Sequence, residues 1–254
     1  MHEILRNLPP GSLVLDLGCA GGSFPATATA ATAVRVDRDP SDAPGFVQAD
    51  AGLLPFRDGA FAAVISNHSL EHFDELAAVL REIRRVVRRD GALFVAVPDA
   101  GTLTDRIYRW LGHGGGHVNA FTDADELAAM LERETGLKHV ATRTLCSSLC
   151  FLNRRVAPPP LPRRLFLVGG GYAWTLCFYL WLSRRLDRWF GTRTSVYGWA
   201  LYFGSIRETV DTRTLVNVCV RCGAGHAPRD PEVRRRWGVR VWHCPACGTV
   251  NPFT

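Results

Sequence analysis

The first 150 residues alternate short apolar runs with segments whose apolar residues recur at helical spacing. The apolar run at residues 14–17 has the composition of a buried strand. Three similar short runs predict further strands, at residues 33–37, 46–49 and 60–66. From Leu76 to Arg89 the apolar residues return every three or four positions, which predicts a helix with its arginines on the solvated side. Residues 92–97 predict the next strand, which Pro98 ends.

This alternation predicts right-handed crossovers and a mostly parallel sheet with helices on both faces, an α/β doubly wound fold. In such sheets, ligands bind outside the carboxyl ends of the strands. Acidic residues stand at or just beyond the ends of three successive strands, namely Asp16, Asp37 and Asp50. We expect all three to face one crevice. An aspartate after the second strand suits the two vicinal hydroxyls of a ribose, because one carboxylate can accept from both.

A turn of small residues, GCAGG at 18–22, follows the first strand. Its glycines let the backbone pass close to a ligand, although a tight strand-to-helix turn is the alternative interpretation. Ala20 and Ser23 replace the second and third glycines of the dinucleotide-binding pattern. A nucleoside without a pyrophosphate therefore fits the turn better than a dinucleotide.

Four successive segments are VLDLGCAGG, VRVDRDP, QADAGLLPFRDGAFAAVISNHSLEHF and LREIRRVVRRDGALFVAVPD. In this order they resemble the motifs of the class I S-adenosylmethionine-dependent methyltransferases, nearest to the branch with the ubiquinone and menaquinone methyltransferases. The resemblance covers about residues 5–145. It implies an enzyme with a seven-stranded, Rossmann-like sheet and S-adenosylmethionine as methyl donor.

The resemblance also implies residues for the methionine part of the cofactor. Gly18 and Gly22 would line it, and Asp16 would help to orient its amino group. Ala20 stands where the family usually has glycine, and its methyl group is a small intrusion into the same site.

For the nucleoside part, the resemblance implies a second set of residues. Asp37 would hold the ribose hydroxyls, and Asp50 with the backbone of Ala51 would read the adenine amine. Asn67 would border the sulfonium.

Histidines after the fourth and fifth strands are candidates for acid–base chemistry. Methyl transfer requires an aligned acceptor and exclusion of water, and it needs a base only where the acceptor loses a proton. His117 lies in a glycine-rich loop where this family places its substrate, and it is our first choice. His72 is the second candidate, with a structural role in packing its short helix as the alternative. For either histidine, a hydrogen-bonded loop position is the simpler interpretation.

The chain from residue 122 to 205 predicts the end of the sheet. Thr122 is expected to cap a helix that Gly136 ends, followed by a strand at residues 137–145. The return strand is expected at residues 197–205. Residues 146–196 are therefore a hydrophobic insertion before the last strand.

The insertion contains a charge-free run at residues 165–182, bracketed by Arg163, Arg164, Arg184 and Arg185. Its length meets the criterion for a membrane span. A single crossing is disfavoured because the strands on either side belong to one sheet. The remaining interpretations are an interfacial or re-entrant helix, a hydrophobic lid over the cleft, and a core helix. The first two favour an apolar or lipid-linked acceptor.

Two C-x-x-C-G knuckles near the end of the chain predict a small zinc ribbon. Four thiolates would give a closed, structural zinc site, formed by Cys219, Cys222, Cys244 and Cys247. His226 and His243 could replace a thiolate, although no cysteine is missing. We expect a methyltransferase domain at residues 1–210 and the ribbon at residues 211–254, where the arginine-rich stretch 229–242 forms a solvated hairpin.

Charge and the N-terminal sequence bear on location and partners. A net charge of +6 is compatible with attraction to an acidic membrane surface, to nucleic acid or to an anionic substrate. No apolar signal segment opens the sequence, so we expect a cytoplasmic protein, with peripheral attachment at the inner membrane face as an extension of that expectation. Its eight cysteines are then expected to be reduced or metal-bound.

The sequence thus predicts methyl transfer to an apolar or lipid-linked small molecule. The alternatives are an RNA or protein methyltransferase that docks through the basic ribbon, and a non-catalytic cofactor-binding domain with a zinc-ribbon interaction module.

Overall fold

A computed structural model describes residues 1–111, 116–148, 173–213, 217–221, 225–226, 232–236 and 238–253. The chain forms two compact units that alternate along the sequence. The first unit comprises Met1–Pro98, His117–Arg143 and Trp199–Thr212. The second comprises Asp99–Gly116, Thr144–Gly198 and Arg213–Thr254. The division into domains at residues 210 and 211 stays a prediction.

A seven-stranded sheet dominates the fold. Its strands are β1 (Leu13–Leu17), β2 (Thr32–Asp37), β3 (Phe46–Gln48), β4 (Phe61–Asn67), β5 (Val87–Pro98), β6 (His139–Cys146) and β7 (Val196–Gly204). They lie in the order β3-β2-β1-β4-β5-β7-β6, so the last strand in sequence lies between β5 and β6. The pairings β3–β2, β2–β1, β1–β4 and β4–β5 are parallel. The predicted fold class is confirmed.

The central strands are buried along most of their length, as expected for a parallel sheet covered on both faces. In β1, Val14, Leu15 and Leu17 have no exposed surface. The neighbouring apolar residues Val14 and Leu15, rather than an alternating pattern, made this strand predictable.

The helices are α1 (His2–Leu5), α2 (Leu76–Val86), α3 (Leu103–Leu111), α4 (Ala124–Thr135) and α5 (Ala173–Phe190). Short 3-10 helices occupy Ala26–Ala28 and Leu70–His72. The predicted extension of α2 to Arg89 is wrong, because the chain becomes extended at Val87 and that residue pairs with Phe61 of β4.

The cap of α4 differs from the prediction by one residue. Asp123, not Thr122, is the N-cap, and its Oδ1 accepts the amides of Asp125 and Glu126 at 2.8 and 3.0 Å. A carboxylate at this position also favours the positive end of the helix dipole. Gly136 ends the helix at φ 73°, as predicted.

Near the end of the chain, the described residues of the second unit form five short strands. These are β8 (Asn217–Val218), β9 (Gly225–His226), β10 (Val233–Arg236), β11 (Val239–His243) and β12 (Val250–Pro252). Strands β10, β11 and β12 form an antiparallel sheet, and β8 pairs with β9. The predicted hairpin is present as β10–β11, with exposed arginines at Arg234, Arg235 and Arg240.

Helix α5 belongs to this second unit and packs against β12. The Cys177 thiol donates to the Val250 carbonyl over 2.9 Å. Of the charge-free run predicted at 165–182, residues 165–172 lie outside the described residues, and the remainder forms the first part of α5. Within the described ranges, no helix has both the length and the apolarity needed to cross a membrane.

Candidate cofactor site and metal-ligand clusters

The parallel register brings the carboxyl ends of β1, β2 and β4 level with one another. Leu17 pairs with Val36 on one side and with Ser66 on the other. The next residue of each segment therefore lies at the same edge of the sheet, and these residues are Gly18, Asp37 and Asn67. Asp50 follows two positions after the end of β3, at that edge too. The structure thus brings together the strand ends that the sequence predicted to share a crevice.

Packing within the protein explains part of the need for small residues in the turn at residues 18–22. Gly18 has a φ of +66°, and a Cβ there would lie 2.4 Å from the Cβ of Ser69. Ala20 and Gly22 also have positive φ values, of 44° and 105°. A Cβ on Gly21 would meet no atom within 4 Å. The turn therefore has one side closed by Ser69 and one that is open to a ligand.

Asp16 is a fully buried carboxylate at the end of β1. Its Oδ2 accepts the Ser23 amide at 2.9 Å and lies 3.8 Å from Arg35 Nε. Burial raises the pKa of Asp16, and the hydrogen bonds from Ser23 and the charge of Arg35 oppose that shift. Its Oδ1 has no hydrogen-bond partner in the described part of the chain. Because an unsatisfied buried acceptor costs about 1–3 kcal/mol, this oxygen favours a donor from a ligand, and an ammonium group fits it.

Backbone amides hold the carboxylates of Asp37 and Asp50. In Asp37, Oδ2 accepts from the Ala20 amide at 2.8 Å, and Oδ1 accepts from the Asp39 amide at 3.1 Å. In Asp50, Oδ1 accepts from the Gly52 amide at 2.7 Å. Each Asp37 oxygen keeps a second lone pair for a ligand hydroxyl. The carboxylate is therefore held in one orientation by the backbone.

Ala51 and Asn67 complete the predicted cofactor set, and both are partly buried. Ala51 packs against the main hydrophobic core. Asn67 is the last residue of β4 and pairs with Ala96 of β5. The amide of the next residue, His68, donates to the Ala96 carbonyl at 2.9 Å.

Arg85 fixes the loop that follows Asp50. We expected this arginine on the solvated side of α2. It instead donates to both carboxylate oxygens of Glu82 and to the carbonyls of Leu54 and Phe56, at 2.6–2.9 Å. Helical spacing alone could not show this, because the carbonyl partners come from a loop about 30 residues earlier.

His72 and His117, the predicted acid–base candidates, lie together. Their ring centroids are 4.9 Å apart, and the rings meet edge to face at 72°. One ligand atom from each imidazole and one from the Glu71 carboxylate all lie within 4.8 Å of one another. His68 Nδ1 lies 3.8 Å from Glu71 Oε1. Burial, with the neighbouring His117 and His72, lowers the pKa of His68 to about 4, so this imidazole is neutral at pH 7.

Cysteines of the two predicted knuckles converge in the second unit. Cys219, Cys244 and Cys247 place their sulfurs within 4.8 Å of one another, whereas Cys222 lies outside the described residues. The Cys219 and Cys247 sulfurs are 3.6 Å apart, far beyond a disulfide bond. Thiolates that bind zinc tetrahedrally at about 2.3 Å lie about 3.8 Å apart, so the spacing fits a zinc site. His226 Nε2 comes to 3.4 Å from the Cys244 sulfur.

Comparisons with known proteins agree with this geometry. Residues 15–95 match the family model described as a methyltransferase domain. The tRNA (carboxymethyluridine(34)-5-O)-methyltransferase of Xenopus tropicalis is 33% identical over 106 residues, which are 37% of this chain and 17% of that protein. The 2-methyl-6-phytyl-1,4-hydroquinone methyltransferase of Synechocystis sp. is 36% identical over 107 residues, covering 36% of this chain and 34% of that protein.

A solved structure shares the fold. The S-adenosylmethionine-dependent methyltransferase of Archaeoglobus fulgidus superposes with a TM-score of 0.52 at 17% identity, covering 76% of this chain and 86% of that one. The chain spans about a third or less of the length of the two curated relatives. Residues 15–95 thus match a methyltransferase domain, and the chain shares the fold of a solved methyltransferase, in agreement with the predicted enzyme class.

Proposed function

We propose that this protein transfers a methyl group from S-adenosylmethionine to an apolar or lipid-linked small molecule. The observation that carries the choice of acceptor is an exposed aromatic face on α5. The Synechocystis relative, by its name, acts on a phytyl-substituted hydroquinone, which is an acceptor of this class. The Xenopus relative, by its name, acts on tRNA, and an RNA acceptor that docks on the basic ribbon is the competing hypothesis.

For the cofactor, we propose the residues at the edge of the sheet. The cofactor supplies an electrophilic methyl group on a sulfonium. Asp16 Oδ1 would accept from its amino group beside Gly18, Ala20 and Gly22. Asp37 would accept from both ribose hydroxyls.

The remaining cofactor residues lie further along the same edge. Asp50 and the Ala51 backbone would contact the adenine amine, and Asn67 would border the sulfonium. Arg85 acts indirectly, because it holds the loop that follows Asp50.

The aromatic face of α5 consists of residues at helical spacing along four turns: Trp174, Phe178, Trp181, Arg185 and Trp189. Trp174, Phe178 and Trp189 are 72%, 53% and 60% exposed. The Arg185 guanidinium lies 5.4 Å from the Trp181 ring centroid and 5.8 Å from that of Trp189. The opposite face carries the buried Leu176 and Leu180.

Such a face matches the chemistry of a membrane surface. Indole and phenyl rings favour the boundary between headgroups and acyl chains, and arginine favours anionic phosphates. Large aromatic side chains are seldom exposed in one continuous stripe unless the stripe binds something. We therefore propose peripheral binding to an anionic bilayer, where an apolar acceptor would be concentrated.

Flotation with anionic liposomes tests this attachment. The intact chain should float, and salt should weaken the binding without abolishing it. The triple variant Trp174→Ser, Phe178→Ser, Trp189→Ser should stay at the bottom of the gradient. Trp110→Ser is the matched control, since Trp110 is 78% exposed on α3 and lies outside the stripe. Equal flotation of the triple variant and the intact chain would refute the proposed surface.

Incubation with radiolabelled S-adenosylmethionine, a lipid extract and total RNA tests the acceptor. Label in the organic phase is expected. Label in RNA alone would replace the proposal by the RNA hypothesis. Binding of the cofactor with no label in any fraction, proteins included, would favour the non-catalytic alternative.

We also propose one structural zinc ion, held by Cys219, Cys222, Cys244 and Cys247. Elemental analysis should find one zinc per chain. Cys222→Ser and Cys244→Ser should each lose the metal, whereas His226→Ala should keep it. If His226→Ala lost the zinc and Cys222→Ser kept it, the histidine would instead be the fourth ligand. Because a closed site only stabilises its own module, zinc removal should leave cofactor affinity unchanged.

A further inference from the structure

The cluster of Glu71, His72 and His117 contains more ligating groups than proton transfer requires. Two imidazoles and one carboxylate each offer one atom, and the three atoms lie within 4.8 Å of one another. We propose that these three residues bind a divalent first-row transition-metal ion at the edge of the sheet beside the cofactor site.

Hydrogen bonds that do not involve the imidazoles hold the two segments of this cluster together. The amides of Val118 and Asn119 both donate to the Glu71 carbonyl, at 2.8 and 3.0 Å. The Asn119 side-chain amide donates to the carbonyls of Leu70 and Phe73, at 3.0 and 2.7 Å. Three hydrogen bonds thus tie the segment that carries His117 to the 3-10 helix Leu70–His72, and a fourth ties it to Phe73, which follows that helix. The approach of the three side chains is therefore set by the fold.

The side chains can close onto an ion with little movement. Ligand atoms bound at about 2.1 Å in a tetrahedral set lie about 3.4 Å apart, compared with 4.8 Å or less here. Glu71 is 1% exposed, whereas His72 is exposed and His117 half-buried. Rotation of the two more accessible imidazoles toward the buried carboxylate would complete the set.

The donor set decides which ion is favoured. Imidazole ligands suit zinc, iron, cobalt and nickel, whereas magnesium and calcium prefer sites built from oxygen ligands alone. Among the described residues the cluster supplies three protein ligands, which leaves a coordination position open to a further ligand, in contrast to the proposed four-thiolate site.

The open position suggests what the ion does. A bound cation would lower the pKa of a hydroxyl group that it holds, so a hydroxyl-bearing acceptor would lose its proton to water and its oxygen would take the methyl group without a histidine base. That role rests on the proposed methyl transfer, whereas the metal site itself does not.

Cobalt(II) titration of the full, zinc-loaded chain tests the site. We expect one cobalt per chain with weak visible d–d absorption and no thiolate charge-transfer band, because the cysteines remain on zinc. His72→Ala and His117→Ala should each weaken cobalt binding at least 10- to 100-fold, since loss of an outer-shell partner alone costs about that much. Glu71→Gln, which keeps the shape of the side chain, should do the same. His139→Ala is the control, because His139 lies on β6 outside the cluster.

Two results would overturn the inference. One is a wild-type chain, loaded with a single equivalent of zinc on its thiolates, that binds no cobalt. The other is a folded His72→Ala variant, checked by circular dichroism, that binds cobalt as tightly as the wild type. Flotation and cofactor affinity do not depend on this metal, so a failure here is distinguishable from failure of the proposed function.

Discussion

Replacement of Asp37 tests the proposed ribose site most directly. In Asp37→Asn the side chain keeps its shape and one oxygen, but it loses its charge and one acceptor atom. In the wild type, Oδ2 accepts the Ala20 backbone N–H at 2.8 Å and Oδ1 accepts the Asp39 backbone N–H at 3.1 Å. The side-chain NH2 of the variant must replace one of these two oxygens. Both arrangements place two donors against each other, so the variant loses acceptors for the turn and for the ribose.

The expected loss follows from the bonds that are removed. A hydrogen bond to a charged group contributes about 1.5–3 kcal/mol, which corresponds to about a 10- to 150-fold loss of affinity. Isothermal titration calorimetry with S-adenosylmethionine and with S-adenosylhomocysteine should give the same factor for both. The two ligands share the ribose and differ in the sulfonium charge, so a local hydrogen-bond effect does not distinguish them.

Asp39→Asn is the matched control. It removes the same charge two residues away, from an exposed side chain, and leaves the backbone amide that donates to Asp37. We expect its affinity to stay within about twofold of the wild type, given the screening of exposed charges. An Asp37→Asn variant that is folded and binds both ligands within twofold of the wild type would refute the ribose assignment. Equal losses in both variants would show that net charge is responsible.

Two further predictions concern the framework around the site. Gly18→Ala should lower the free energy of unfolding by about 1–3 kcal/mol in urea denaturation, because its Cβ would lie 2.4 Å from that of Ser69. The control Gly21→Ala should lower it much less, because no atom lies within 4 Å of the added Cβ. Equal losses of stability in the two variants would contradict the packing argument. Hydrogen bonds with Arg85 lower the pKa of Glu82 in the folded protein. This interaction therefore stabilises the fold fully at a pH above the unfolded-state pKa of about 4.3, and the stabilisation is lost as the pH falls through the lower folded-state pKa. The difference in unfolding free energy between the wild type and Glu82→Gln should therefore shrink in urea titrations below pH 4.3, and a constant difference from pH 7 to pH 3 would contradict this.

The sequence predicted the sheet well because its signals are local. In the buried strand Leu13–Leu17 every residue except Asp16 is apolar, and Gly18 directly follows it. The edge that carries Asp37 and Asn67 then follows from parallel pairing alone. The end of α2 was not predictable in this way. Val86 and Val87 both fit the helical apolar spacing, and only pairing with Phe61 decides that Val87 is extended.

Long-range contacts explain what the sequence could not show at the site. The Glu71 carbonyl receives the Val118 amide from 47 positions further along the chain. The order of elements predicted that the histidine-bearing loops after β4 and after β5 lie at one crevice, but spacing could not show that His72 and His117 are in contact. The same limit applies to Arg85, whose loop carbonyls are invisible in the pattern of its own helix.

The charge-free run at residues 165–182 has a different explanation. A helix in water normally shows one polar face, and the first three turns of α5 have almost none. One face of α5 carries the buried Leu176 and Leu180, and Cys177 between them contacts Val250 of β12. The other face presents the exposed Trp174 and Phe178. The packed face excludes charge because it is buried, and an aromatic exposed face excludes charge if it binds an apolar surface, as we propose. The described part of the run, residues 173–182, is therefore apolar for two different reasons on its two faces.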